Sequence, residues 1–344
     1  MANFDDMKLA VESLTGGKNT VILDDVGMPS VMVTWPKQKN ADLFTGGSDV
    51  VHPGSIVNNT EKTMYVSKYQ NIVVNERAYS LPGQDPAVYI DFDTSVSRCR
   101  KKGSGWGLLP MATWAQIALW CRKNGTMPRG NNNYGKDHAY THEKGVPTYM
   151  DGANVGRIAT GSGPATWNHN WLPDGIADMN GNVWEWCAGM RLKNGEINII
   201  PNANAMDPEV SMGASSTAWK AILGSDGSLV DPGTAGTLKY DSTFKIVTTL
   251  TAATGTPSGE FKSLGKADGL TIPEIAKALI LYPADPNGDY GGDYHWWNVA
   301  DERLPFCGGN WYYTSSAGVF YLNLYNPRSY SNAYIGFRSA YCVL

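Results

Sequence analysis

Thiols are the groups in this sequence with the widest reaction chemistry, because a thiolate is both nucleophile and metal ligand. Cys99, Cys121, Cys187, Cys307 and Cys342 are odd in number, and no two stand close enough to form a C-x-x-C pair. Buried free thiols are therefore expected rather than a disulfide framework. Cys307 and Cys342, which bracket the final segment, are the one pair to watch. His138 and His142 are four apart in a Gly/Asn-rich stretch without a third ligand, so hydrogen-bonded or solvated histidines are expected over zinc. Asp174, Asp178 and Asn180 could join carbonyls around calcium. A turn held by side-chain hydrogen bonds is the simpler expectation, so no cofactor is expected, with calcium as the alternative. Gly103-Ser-Gly-Trp-Gly lacks the Lys-Ser/Thr of a phosphate loop.

The elements that must carry these residues are short. Residues 4–15 read as an amphipathic helix with Phe4, Met7, Val11 and Leu14 on one face and Gly16 as its stop. It packs on its own domain or serves as an attachment or oligomer contact. Residues 19–35 alternate like two strands around Gly27. Residues 63–79 read as a strand followed by an irregular or helical stretch. A helix follows within 86–101, capped by Asp93 or Thr94. Pro110 opens a second, with Trp114, Ile117, Ala118 and Cys121 inward and Gly125 at its end. Residues 124–170 are expected to be a long ordered loop region. One helix is expected at 273–281 within a less patterned stretch, about 191–300, that reads as an insertion. His295, Trp296 and Trp297 form either core or the rim of a site.

Composition narrows the function classes. The 344 residues carry 17% charged side chains and a net charge of −4, which leaves no basic excess to hold nucleic acid or an anionic membrane. Twelve Trp, eighteen Tyr and 38 Gly point to an irregular, loop-rich fold. No apolar run is long enough to span a bilayer, and the N-terminal segment lacks the basic and apolar regions of a secretory signal. Synthesis in bacterial cytoplasm without Sec export fits these features.

Four blocks occur in a recognisable order: PAVYIDFDTSVSRC at 86–99, GLLPMATWAQIALWCRKNG at 107–125, GIADMNGNVWEWC at 175–187, and GGNW with GFRSA within 308–340. Together they resemble the formylglycine-generating-enzyme and sulfatase-modifying-factor family, whose fold is C-type lectin-like. The resemblance covers about 62–190 and 304–342. It implies an α+β, C-type lectin-like fold, irregular and loop-rich, with a helical segment at 1–18, the lectin-like domain over 19–344 and the large insertion at about 191–300. In NGNVWEW the Asn-Gly-Asn run suits a tight turn, and Val183, Trp184 and Trp186 supply buried area. Glu185 between two tryptophans needs a partner, for which Arg338 is the candidate. The family's oxidase chemistry implies two cysteines at positions that here hold Tyr313 and Gly318, so the nucleophile is missing and no enzyme is expected.

The final segment, Leu304 to Leu344, holds seven of the eighteen tyrosines, where uniform scatter over 41 residues would give about two, and it contains Arg328 and Arg338 but no acid. Tyr with Ser, Asn and Gly is the composition of an antibody-like paratope. In VFYLNLY, alternation places Phe320, Leu322 and Leu324 on a core face and Tyr321, Asn323 and Tyr325 on a displayed face. Residues 308–340 are similar to the variable region of diversity-generating retroelement target proteins. There, an Asn-rich template is copied with changes at adenines, which turns AAC codons into Tyr, Ser, Ala or retained Asn. The resemblance implies that Tyr312, Tyr313, Ser316, Asn323, Tyr325, Asn326, Tyr330, Asn332, Ala333 and Tyr334 are the displayed ligand-binding positions, mostly exposed and clustered. AGVF, PRS and IGFRSA would be their fixed frame, with Trp311, Phe320, Leu322, Leu324, Ile335 and Phe337 buried.

The expected function is therefore a ligand-binding protein with a hypervariable face, specifically a phage receptor-binding (tail-tip) protein carried on the virion. A bacterial surface adhesin is the second choice. The expected partner is a macromolecule, protein or glycan, on a cell surface, with a homo-oligomer as a further expectation. No nucleic acid and no membrane insertion are expected. A formylglycine-generating-enzyme-like oxidase and a purely structural virion protein are the alternatives.

Overall fold

The computed structural model describes residues 4–344. Residues 1–3, the start of the expected 1–18 helical segment, lie outside them. The chain is mixed α+β, mostly short strands with few helices. The strands that position the site are β1 (Asn19–Leu23), β2 (Pro29–Trp35), β3 (Met64–Ser67), β4 (Trp106–Leu108), β5 (Trp184–Trp186), β6 (Ser258–Glu260), β7 (Tyr294–Trp297), β8 (Phe306–Cys307), β9 (Leu322–Leu324), β10 (Ile335–Phe337) and β11 (Ser339–Tyr341). One sheet runs β1-β2-β3-β11-β4, and a second runs β6-β7-β9-β8-β5-β10. The chain's last strands thus belong to both sheets, β11 inside the first and β10 at the edge of the second. β10 lies parallel to β5 with Ile335 opposite Trp184, and β11 lies between β3 and β4.

The helices follow from their caps. α1 spans Phe4–Thr15 and buries none of its residues, leaving Leu14 87% exposed. α2 (Phe92–Arg100) is capped by Asp91, whose carboxylate accepts from Thr94 N–H at 2.7 Å. This corrects the expectation of Asp93 or Thr94, which lie inside the first turn. α3 (Met111–Asn124) starts after Pro110 and ends at Gly125 in the left-handed region, φ 68°. Trp114, Ile117, Ala118 and Cys121 are buried as expected, but so is most of the rest of its surface.

After β3 the chain turns as a hairpin, Ile72–Val74 against Arg77–Tyr79, rather than as an irregular or helical stretch. Asn75 and Glu76 both take positive φ there, the requirement of a type I′ turn. The 191–300 stretch is patterned after all. Met190–Lys193 pairs with Glu196–Ile199 and with Glu302–Arg303, and further short strands extend that sheet. The same stretch returns β6 and β7 to the second sheet. The expected helix at 273–281 is one short turn, α4 (Glu274–Ala278). All five cysteines are free and buried.

The second sheet lies between two apolar clusters. Leu322, Leu324, Phe320 and Cys307 belong to the main core around α3. Tyr321, Trp184, Trp186, Phe306, Ile335 and Phe337 belong to the other. Strands covered on both faces have no solvent side, which governs where the final segment can display anything.

Candidate functional site: an aromatic face on a pinned loop

The frame is built first. Trp311, Phe320, Leu322, Leu324, Ile335 and Phe337 are all buried, as their periodicity requires. Gly181 and Asn182 take φ 77° and 61°, forming the tight turn expected of Asn-Gly-Asn before β5. Glu185 on β5 meets Arg338, whose Nη2 donates to Oε1 at 2.6 Å and whose Nε donates to Oε2. Arg338 also donates to the carbonyls of Ser67 (3.1 Å) and Ala177 (3.0 Å), and Gln70 Nε2 donates to Glu185 Oε1 at 3.0 Å. The pair is fully buried. A buried charge pair with its remaining lone pairs and protons satisfied is the condition under which such a pair can be retained in a core.

The loops between frame strands are held by their main chain. The carbonyl of Asn326 accepts from Leu304 N–H, that of Arg328 from Phe92 N–H, that of Asn332 from Tyr89 N–H and that of Tyr334 from Trp184 N–H. Ala333 O accepts from Arg157 Nη1 at 2.9 Å. Upstream, Trp311 O accepts from Tyr134 N–H, and Thr314 N–H donates to Asn132 O. Arg328 anchors the later loop by its side chain, donating to Glu302 (2.9 Å), to Asp93 (2.7 Å) and to Met212 O (3.0 Å). Beneath the earlier loop, Asp293 Oδ2 accepts from Phe320 N–H at 2.8 Å. Burial pushes that carboxyl well above the ordinary range.

On this frame the side chains form one aromatic surface. Tyr312 stacks on Tyr313 (5.1 Å between ring centres) and meets Tyr334 edge-on at 5.7 Å. Tyr330 and Tyr334 share a hydroxyl hydrogen bond of 2.7 Å, and Asn332 Nδ2 donates to Tyr330 Oη. Tyr313 packs edge-on against Trp184 at 5.1 Å and Tyr321 at 5.4 Å. Further along, Tyr325 lies against Trp296 at 4.5 Å, and Tyr294 approaches Tyr321 at 6.3 Å.

Eight of the ten expected positions are half-buried: Tyr312, Tyr313, Ser316, Tyr325, Asn326, Tyr330, Asn332 and Tyr334. None is fully exposed, which corrects the expectation of mostly exposed side chains: the tyrosines cover one another. Asn323 (2%) and Ala333 (9%) are buried. Asn323 lies in the covered strand β9 and spends its Oδ1 on Tyr325 N–H at 2.9 Å. Tyr321 is buried for the same reason, so the displayed face expected from VFYLNLY is reduced to Tyr325.

The structure divides the 295–297 cluster between core and rim. His295 and Trp297 are core, while Trp296 and, before them, Tyr294 join the aromatic surface. The alternation of β7 was the available signal; its pairing to β9 was not readable from sequence.

Reaction chemistry is poorly served. Burial pushes the thiols of Cys99, Cys121 and Cys187 far above their ordinary value and that of Cys342 to about 11. A protonated, enclosed thiol is a poor nucleophile. Gly318 faces Asp293 so closely that a Cβ there would fall 2.1 Å from Oδ1, leaving no room for a side chain. The candidate calcium residues are engaged by other groups, except that the buried Asp178 Oδ1 has no partner. Asp174 accepts from Lys18 (3.0 Å) and Asn170 (2.6 Å), Asp178 Oδ2 accepts from Gly161 N–H (2.7 Å), and Asn180 Oδ1 accepts from Asn132 (3.2 Å). Among the described residues no three acid, His or Cys side chains converge as a metal site. No helix among them is long and apolar enough to cross a membrane.

No protein-family model matches the chain, and no curated protein matches it by sequence. Among solved structures it is similar to the Major Tropism Determinant P3c Variant, at 12% identity and TM-score 0.33 over 94% of this chain and 71% of that one. It is similar to the Major Tropism Determinant M1 Variant at 12% identity and TM-score 0.34, over 95% and 72%. It is also similar to Treponema denticola variable protein 1 at 11% identity and TM-score 0.35, over 94% of this chain and 98% of that one.

Proposed function

We propose that this chain is a ligand-binding protein, not an enzyme, whose 308–340 segment is a hypervariable face diversified by a retroelement on a C-type lectin-like scaffold. The finer reading is a phage receptor-binding (tail-tip) protein on the virion, recognising a protein or glycan on the bacterial surface. One observation carries it. The loops bearing Tyr312, Tyr325, Tyr330 and Tyr334 are fixed chiefly by main-chain hydrogen bonds and by Arg328, with Tyr313 alone packed into the frame beneath them. A diversified site needs that division, because its backbone must survive nearly any side chain. Tyrosines covering one another then offer rigid contact area at small entropic cost, and Asn and Ser supply adaptable hydrogen bonds. Single sites of this kind bind weakly, and a homo-oligomer on a virion adds avidity. The exposed Leu9 and Leu14 of α1 support contact with a second copy.

The direct test is to sequence the DNA around the coding region. The reading expects a reverse transcriptase gene nearby and an Asn-rich near-copy of the 308–340 coding segment that differs from it at adenines. A complete replicon with neither would contradict it.

A further inference from the structure

Two tyrosines outside the final segment hold it by their main chain and expose their rings. Tyr89 N–H donates to Asn332 O at 2.9 Å and Tyr134 N–H to Trp311 O at 2.7 Å, so each stands one hydrogen bond from a tyrosine-bearing loop. Both take positive φ, 55° and 50°. That region is uncommon outside Gly and is tolerated chiefly by Asn, Asp and His. A Gly or Asn would donate the same N–H with less strain, so the hydrogen bonds do not explain the tyrosines. Packing does not explain Tyr89 either. It is 68% exposed, and among the described residues its phenol has no hydrogen bond and its ring no aromatic or cationic neighbour. Tyr134 is 37% exposed. A strained residue that the fold does not repay points to a use at the surface.

These residues border the aromatic face. Val88, next to Tyr89, packs on Val183, Trp311 and Ala333, the cluster that Tyr312 and Tyr334 also cover. Tyr149 joins the same cluster, 6.0 Å from Trp311, with the Arg157 guanidinium 4.2 Å from its ring centre. Burial, with the phenols of Tyr330 and Tyr134 nearby, holds the Tyr312 hydroxyl above its ordinary value, so Tyr134 lies within electrostatic reach of the face. The guanidinium groups at this border are paired, Arg157 with Asp85 at 2.8 Å and Arg328 with Glu302 at 2.9 Å. An anionic polymer would find neither of them free.

A protein interface of standard size takes about 20–30 residues a side. The final segment offers eight half-buried positions, so a protein seated on it must spread onto the segments alongside. A broad, neutral, tyrosine-rich surface also has the composition of protein-binding interfaces. Resting on the ligand-binding function proposed above, we propose that Tyr89, Tyr134 and Tyr149 form a fixed aromatic rim that touches a cell-surface protein. The diversified positions select the target, and the rim adds contact common to every target.

The test is adsorption of the labelled full chain to a panel of bacterial strains. Tyr89→Gly/Tyr134→Gly keeps both N–H donors and suits positive φ while deleting the rings. Tyr89→Asn, which also favours that conformation, separates loss of the ring from loss of backbone rigidity. Both should melt within about 5 °C of the wild type. If the double change melts lower, the reading rests on Tyr89→Asn. Each should weaken adsorption to every strain that the wild type adsorbs, by at least about fivefold in the double variant. Val50→Ser, a change at a residue 59% exposed elsewhere, should leave adsorption unchanged. Protease treatment of the cells should abolish it. Undiminished adsorption of the Gly and Asn variants, or a loss confined to some strains, overturns the rim and leaves the diversified face standing. Adsorption that survives protease and is lost after periodate oxidation puts a glycan on the face and overturns the protein ligand. A wild type that adsorbs to no strain overturns the proposed function together with the rim.

Discussion

Removing Arg338 is the sharpest perturbation of the frame. Its guanidinium and the Glu185 carboxylate are both fully buried, so Arg338→Met strands a charge where water cannot reach it. It also orphans the carbonyls of Ser67 and Ala177, which tie β3 and the 175–179 turn to the segment between β10 and β11. Gln70 remains as a donor to Glu185 and offsets only part of the loss. Breaking one side of a buried pair costs about 3–5 kcal/mol, against a total stability of about 5–15 kcal/mol for a native protein. Glu185→Gln with Arg338→Met should recover part of that cost, because the stranded charge is gone. The two changes should then be non-additive by at least about 1 kcal/mol. Guanidinium unfolding followed by tryptophan fluorescence measures the cycle, provided the slope with denaturant is constant across the variants. A loss below about 1 kcal/mol for Arg338→Met, or strict additivity in the double variant, would refute the reasoning.

Two further expectations concern the tyrosines and pH. The sequence alone suggests that every Tyr-to-Ser change on the face costs under about 1 kcal/mol. The packing of Tyr313 against Trp184 and Tyr321 instead predicts a loss of about 2–3 kcal/mol for Tyr313→Ser by calorimetry, with Tyr325→Ser and Tyr330→Ser remaining below about 1 kcal/mol. Equal losses at all three would show that Tyr313 is not part of the frame. Burial lowers His52 to about 4 and His169 and His295 to about 3, from an ordinary 6.5. Groups depressed on folding contribute stability that is complete above pH 6.5 and lost as pH falls below it, by about 2 kcal/mol each at pH 5. Asp178, raised by burial to about 6, works in the opposite sense: its cost is full above pH 6 and relieved toward 3.8, returning about 1 kcal/mol by pH 5. The melting temperature should therefore fall between pH 7 and pH 5, and a flat profile would contradict the buried neutral histidines.

What could be read in the sequence was whatever local chemistry decides. The frame residues were legible because alternation and bulk alone bury Phe320, Leu322 and Leu324. Arg338 was legible as a candidate because Glu185 between two tryptophans needs either an Arg or backbone donors. The Asn75-Glu76 turn was not, since a glutamate at positive φ carries no local signal. Strands of two to four residues in the 191–300 stretch are too short for their alternation to stand out. The burial of Tyr321 and Asn323 follows from clusters on both faces of the second sheet, and the recruitment of Trp296 from its parallel pairing with Asn323. Both are non-local facts. The hydroxyl pairing of Tyr330 with Tyr334 likewise depends on how the 326–334 loop is pinned, which no residue pattern encodes.

The central claim is that the frame holds the fold and the tyrosines hold the ligand. It is tested most directly by adsorption of the labelled full chain to a panel of bacterial strains, comparing the wild type with a Tyr325→Ser/Tyr330→Ser variant whose melting temperature is unchanged. The account predicts selective adsorption of the wild type to some strains and its loss, at least about tenfold, in the variant, because tyrosines near the centre of a contact patch carry a large share of binding energy. Adsorption that persists unchanged in the correctly folded variant would contradict it.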